Sequence, residues 1–160
     1  MLAIKPLSPD DAERFRIIRL ASLWESPEAF SSTYQQIASL PSESWPEQLR
    51  NLPTFVAVQD GQDAGIIRAA IDSGHPDFAY LISMWVAPEA RGHGIGGALV
   101  EAVADWARSQ GLKQLALDVV DDNEPAIALY RRKGFKLTGE SNALPPPREH
   151  IVEIRMAISL

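Results

Sequence analysis

The chain has 160 residues, 46% of them apolar and 22% charged, with a formal net charge of −6 and no cysteine. This predicts one globular domain over residues 1–160 and excludes a disulfide framework, a thiolate metal site and a cysteine nucleophile. No stretch approaches the roughly 20 apolar residues of a membrane span. Met1–Pro6 lacks the apolar core of a signal peptide, and the acidic balance argues against nonspecific nucleic-acid binding. The expectation is a cytoplasmic protein with neither a membrane nor a nucleic-acid partner.

In chain order, Leu2 to Lys5 reads as a short strand ending at Pro6. Ser8 then offers an N-cap, Pro9 the first helical position and Asp10-Asp11 an acidic first turn, so a helix is expected to about Trp24. Its face carries Phe15, Ile18 and Leu23, with Arg14 and Arg16 towards water. Ser26-Pro27 breaks it. Residues 28–53, punctuated by prolines, predict short helices and loops, with Pro46–Leu49 the best helical segment. Thr54 to Gln59, Ala64 to Asp72 and Phe78 to Val86 form an antiparallel meander, turned at Asp60-Gly61 and again at residues 73–77.

A glycine run follows, Arg91-Gly92-His93-Gly94-Ile95-Gly96-Gly97-Ala98, opening a helix over Leu99 to Ser109. Ile95, Leu99, Val103 and Trp106 share one face, and Gly111 stops it. Gln114 to Val120 is an apolar strand reached by a helical crossover, hence parallel to the strand before it. Asp122 or Asn123 caps a helix from Glu124 to Lys133. Phe135–Gly139 and His150–Ile158 are two last strands around the proline-rich loop Leu144–Arg148. The order is mixed α/β, with helices on both faces of one central, mostly antiparallel sheet. An exposed last strand could pair with a second copy as a homodimer.

A glycine-rich turn at a helix start is an anion site, because its N–H groups lack intrahelical partners and the helix dipole is positive there. Arg91 adds a fork of donors, with a salt bridge to Glu89 as its structural alternative. The ligand is therefore expected to carry phosphate. Gly92-x-Gly94-x-x-Gly97 matches the dinucleotide-binding string, and Asp118 mimics its ribose acid. Five residues, however, separate the strand from the first glycine, and too few residues follow for the remaining βα units. No Gly-x-x-x-x-Gly-Lys-Ser/Thr occurs, so a P-loop is unsupported.

The segment Val86-x-Pro88-Glu89-x-Arg91-Gly92-x-Gly94-Ile95-Gly96-x-x-Leu99 closely resembles the acetyl-CoA-binding segment of the GNAT superfamily of N-acetyltransferases. A second signature, Asn123-x-x-Ala126-x-x-x-Tyr130-x-x-x-Gly134-Phe135, follows at the family's distance. The element order also agrees with the family fold, so the resemblance spans nearly the whole chain. Residues Arg19-Leu20, Pro27–Phe30 and Ser32–Tyr34 resemble a bacterial subgroup of undefined substrate.

The resemblance implies a GNAT-like domain in which one parallel strand pair, Phe78–Val86 and Gln114–Val120, splays around a pantetheine arm. Backbone N–H groups from Arg91 to Ala98 would hold the pyrophosphate, with the His93 side chain in solvent. Met84, Trp85 and Val86 would pair with pantetheine, and an amide near Trp85 or Val86 would stabilise the oxyanion. Asn123 would bond the pantetheine amides as well as cap its helix. Tyr130 would be the acid that protonates the leaving thiolate. Many family members carry a glutamate where this chain has Ser83, which could instead order a water. Asp118, Glu140 or the Glu25/Glu28 pair are other candidate bases. Phe30, Tyr34 and Trp85 would wall the acceptor pocket, with Glu25 and Glu28 attracting a cationic amine. The implied function is direct acetyl transfer from acetyl-CoA, without a metal, to a primary amine of a small molecule or peptide. The alternative is a noncatalytic acyl-CoA-binding or regulatory module of the same fold.

Overall fold

Apolar runs in the middle strands require a sheet covered on both faces. A computed structural model describes residues Met1–Leu160 and contains that sheet. Its strands are β1 (Leu2–Pro6), β2 (Thr54–Gln59), β3 (Gln62–Ile71), β4 (Phe78–Val86), β5 (Gln114–Val120), β6 (Lys136–Ala143) and β7 (Val152–Ser159). They lie in the order β1-β2-β3-β4-β5-β7-β6, antiparallel throughout except for β4 and β5. The last strand is therefore internal, and the two edges are β1 and β6. Every residue of β6 is exposed, whereas β7 carries the fully buried Met156, so the sheet turns its more polar strand outward.

The helices are α1 (Ala12–Glu25), α2 (Tyr34–Ala38), α3 (Ser44–Asn51), α4 (Ile95–Ser109) and α5 (Glu124–Arg132). The proline at position 9 starts a single 3-10 turn, and α1 proper begins three residues later than Pro9. Helix α2 was not singled out by apolar periodicity. Its signal is a capping box: the Gln36 amide donates to Thr33 Oγ1 at 3.2 Å and the Thr33 amide to Gln36 Oε1 at 3.0 Å. Helix α4 starts at Ile95, the first residue of its apolar face, one turn before the expected start at Leu99. Gly94, at φ 78°, is its cap, and Gly96 and Gly97 lie within its first turn.

Successive residues of a strand face opposite ways. On β2 and β3, Val56 and Ile66 pack with Phe15, Ile18 and Trp45 of α1 and α3. Ala57, Ile67 and Ala69 pack on the other face with Leu99 and Val103 of α4. In β4 the alternation breaks. Ala79 and Leu81 face α4, yet so do Met84 and Val86, while Trp85 joins the α1 face. The cause is a bulge: the β3–β4 register shifts between Ile66 and Arg68, and Ser83 holds φ 59°. The extra residue swaps the two faces from there on. Gly65 sits beneath the bulge, where a Cβ would lie 2.9 Å from the Trp85 carbonyl oxygen and 3.0 Å from Leu99 Cδ1. Only glycine fits there without displacement.

Strands β4 and β5 pair only at Phe78–Gln114, Ala79–Leu115 and Tyr80–Ala116. Past Tyr80 they diverge, leaving the facing edges of β4 and β5 without a strand between them. The bulge and this divergence lie at the same level of the sheet. No helix is long and apolar enough to cross a membrane.

Candidate active site

The divergence opens a cleft of about 890 Å³. At its mouth lies the glycine loop. Gly92 and Gly94 hold φ 83° and 78°, and nothing lies within 4 Å of a Cβ built on either, so a ligand can approach the backbone. The Arg91 amide donates to the Pro88 carbonyl at 3.3 Å and the Ala98 amide to the Gly94 carbonyl at 3.1 Å. Between them, the amides of Gly92 through Gly97 donate to no acceptor in the chain. The free run is therefore shorter at each end than the Arg91–Ala98 run expected from the motif. The Ala98 N–H is the first one inside the helix ladder.

The Arg91 side chain does not form the salt bridge to Glu89 that was its structural alternative. It donates to Glu25 Oε1 at 2.6 Å and, through Nε, to the Val86 carbonyl at 3.0 Å. Trp85, aimed at α1 by the bulge, donates its indole N–H to the same Glu25 oxygen at 3.0 Å. Hydrogen bonds from Ser26, Trp85 and Arg91 hold the Glu25 carboxyl below its ordinary pKa. Glu25 is thus a brace between α1, β4 and the glycine loop. It does not line the main cleft, and neither do Glu28, Tyr34, His93 and Ala98. Glu28 lies with Glu25 along a separate shallow depression, Tyr34 packs edge-on against Trp24 at the surface, and His93 Nδ1 sits 3.2 Å from the Ala90 carbonyl.

The other expected residues converge on the cleft: Phe30, Ser83, Met84, Trp85, Val86, Ile95, Gly96, Gly97, Asn123 and Tyr130 all line it. Asn123 Oδ1 caps α5 by accepting from the Ala126 amide at 3.4 Å, which leaves its amide NH2 free. Tyr130, on α5, stacks edge-on to Phe135 with ring centroids 5.9 Å apart. Its ring is in the core, and its hydroxyl makes no hydrogen bond within the chain. Burial raises its pKa well above that of a free phenol.

Three cleft residues escaped sequence reasoning. Arg19 and Arg68 are only 7% and 5% exposed, and burial lowers both pKa values to about 10. Arg68 interrupts the apolar run of β3, which was the available signal. Glu153, on β7, is half-buried, and desolvation, with Asp118 second, raises its carboxyl pKa. Asp118 itself is held by Arg155 through two bonds of 2.9 and 3.0 Å, and Arg155 also lies 3.5 Å from Glu140.

The loop from Ser26 to Ser32 walls the cleft opposite α5. Arg148, in the proline-rich loop, donates to the Phe30 carbonyl at 2.9 Å and the Pro27 carbonyl at 3.2 Å. Two segments distant in sequence thus close one side together.

Residues 19–135 match the acetyltransferase (GNAT) family. The chain belongs to that family. It is 41% identical over 92 residues to streptothricin acetyltransferase from Streptomyces lavendulae, covering 57% of this chain and 48% of that one. It is 32% identical over 128 residues to mycothiol acetyltransferase from Arthrobacter sp. (strain FB24), covering 78% and 39%. The chain thus spans less than half the length of these two relatives. In fold it is similar to a GNAT-family acetyltransferase from Streptococcus pneumoniae, with TM-score 0.84, 23% identity and both chains fully covered. It is also similar to a Salmonella typhimurium chain solved with its cofactor acetyl-CoA, with TM-score 0.81, 19% identity and coverage of 100% and 94%.

Proposed function

We propose that the chain is an acetyl-CoA-dependent N-acetyltransferase acting by direct transfer to a primary amine of a small molecule or peptide. The observation that carries this reading is the run of unpaired amides from Gly92 to Gly97 at the mouth of the diverging strands. The names of the streptothricin and mycothiol acetyltransferases support it.

The residues present fit acetyl-CoA. The free amides and the α4 N-terminus suit a pyrophosphate. The unpaired edge of β4 at Met84–Val86 offers backbone groups to the pantetheine amides, and the Asn123 NH2 adds a side-chain donor. Bound acetyl-CoA supplies the activated acetyl thioester. Among the amides at Trp85 and Val86, the one pointing away from β3 donates to the acetyl oxygen as negative charge develops there. Tyr130, protonated at neutral pH, donates its proton to the departing sulfur and regains one from the nitrogen as that nitrogen becomes the amide. Glu153 takes the proton from the acceptor ammonium. Its raised pKa brings it nearer the working pH, which suits a general base. Across the divergence, the Ser83 hydroxyl on β4 serves to order a water.

The test is thermal unfolding with acetyl-CoA, free CoA and NADH in parallel, followed by thiol release across a panel of amines. A ligand at 100 times its Kd adds about 2.7 kcal/mol, a shift of several degrees. Stabilisation by CoA and acetyl-CoA but not NADH, with amine-dependent thiol release, is the expected result. Stabilisation without release for any amine would leave a noncatalytic CoA-binding module.

A further inference from the structure

The acceptor end of the cleft carries buried positive charge with no counter-ion. Arg19 projects from α1 and Arg68 from β3, both into the cleft. Each finds only a hydroxyl: Arg19 Nη1 donates to Ser22 Oγ at 3.3 Å, and Arg68 Nε to Thr54 Oγ1 at 3.4 Å. Arg68 Nη2 is buried and donates to nothing. The guanidiniums rest on aromatic rings, Arg19 5.1 Å from the Phe30 centroid and Arg68 4.8 Å from that of Phe15. The charge felt by Arg68 is that of Arg19, which repels it. Glu25, at the end of α1, is taken by Arg91 and Trp85.

Two like charges buried without an anion are costly, and a guanidinium does not escape by losing its proton near neutrality. Apolar residues of similar volume would pack as well for stability alone. The arrangement is balanced if an anion from outside enters between the forks. A carboxylate matches the planar two-donor edge of a guanidinium. Phosphate recognition already has its own place, at the glycine loop on the opposite side of the diverging strands.

We propose that Arg19 and Arg68 form a carboxylate-binding subsite, so that the acceptor amine of this cleft also bears a carboxylate. The inference rests on the acetyl-transfer reading of the same cleft. It replaces the cationic attraction expected of Glu25 and Glu28 with recognition of an anion. The acceptor class is an amino acid or a short peptide in which the carboxylate anchors in the Arg19–Arg68 pair and the amine points towards β4.

The test uses matched acceptors differing only in the carboxylate: 2,4-diaminobutyrate against 1,3-diaminopropane, lysine against cadaverine, and alanine against ethylamine. Thiol release is followed at fixed acetyl-CoA for the wild type, Arg68→Met and Arg19→Met, alongside melting temperatures. The expected result is a wild-type preference for a carboxylate-bearing member of about tenfold or more in kcat/KM, falling to within about threefold in either variant. Arg68→Met should melt at or above the wild-type temperature, because it removes a buried unpaired charge. Equal rates within every pair, or turnover confined to the diamines and ethylamine, overturns the subsite while acetyl transfer stands. A preference that survives in both variants also overturns it. Selective use of succinyl-CoA over acetyl-CoA, lost in Arg68→Met, places the anion on the donor and overturns the acceptor assignment. Absence of any CoA-dependent stabilisation is a failure of the acetyl-transfer reading instead. If a variant does not fold, the wild-type pairs decide.

Discussion

Arg91 and Glu25, 66 residues apart in sequence, meet at 2.6 Å and lock the end of α1 to the glycine loop. Both side chains are partly exposed, so the pair contributes more to position than to stability. The Glu25 carboxyl is depressed, first by Ser26 and then by Trp85 and Arg91. A depressed folded-state pKa contributes stability above the unfolded value, near pH 4.3, that is lost as pH falls through the folded value. Glu25→Gln should therefore melt below the wild type at pH 7, with the gap closing as pH drops below about 4. Its CoA affinity should weaken several-fold as the loop loosens. Melting curves from pH 3 to 8 check this, and superimposed curves at neutral pH would remove the brace.

Tyr130→Phe removes a hydroxyl with no partner in the chain, so folding should be nearly unaffected. If Tyr130 donates the proton to the leaving sulfur, kcat should fall about ten- to a thousandfold with the KM for acetyl-CoA little changed. Steady-state kinetics decides, and wild-type kcat in the variant would remove Tyr130 from the mechanism.

Gly94→Ala places a Cβ at φ 78°. The left-handed conformation costs an L-residue about 1–2 kcal/mol, a few degrees of melting temperature here. The new methyl also projects into open space at the mouth of the amide run. CoA should bind about tenfold more weakly, the cost of a hydrogen bond or two. Calorimetric titration with CoA measures it, and undiminished affinity in the folded variant would move the pyrophosphate elsewhere.

Arg148→Met cuts the tie to the Pro27 and Phe30 carbonyls. These belong to the Ser26–Ser32 loop, the proposed acceptor wall, and not to the glycine loop. The KM for the amine should rise several-fold while the Kd for CoA holds. Parallel changes in both would show that the two sides of the cleft do not move independently.

Glu153→Gln tests the base. The raised Glu153 pKa predicts a wild-type rate that falls on acidification through a value above the usual carboxylate range. That limb should vanish in the variant, with kcat about a hundredfold lower. A pH profile unchanged in shape would remove Glu153 from that role.

Much of this architecture was legible in local sequence. Pro6, Asp60-Gly61 and Gly111 punctuate the chain because their backbone preferences act within a few residues. The boundaries of β2 and β4, the Asn123 cap and the parallel β5 followed from the same short-range rules, and the paired glycine and Asn123–Tyr130 motifs pointed to the family. The bulge at Ser83 was not legible, because no residue type announces a non-glycine at positive φ. From that one extra residue follow the turn of Trp85 towards α1 and the capture of Glu25. The burial of Arg19 and Arg68 depends on Phe15 and Phe30, brought over them from separate segments. The sequence by itself determined which segments become strand, helix and anion-binding turn, since those choices are made by neighbouring residues. Only the tertiary structure decided which charges are paired, which are buried alone and which face the cleft, because desolvation and pairing depend on residues that meet through the fold.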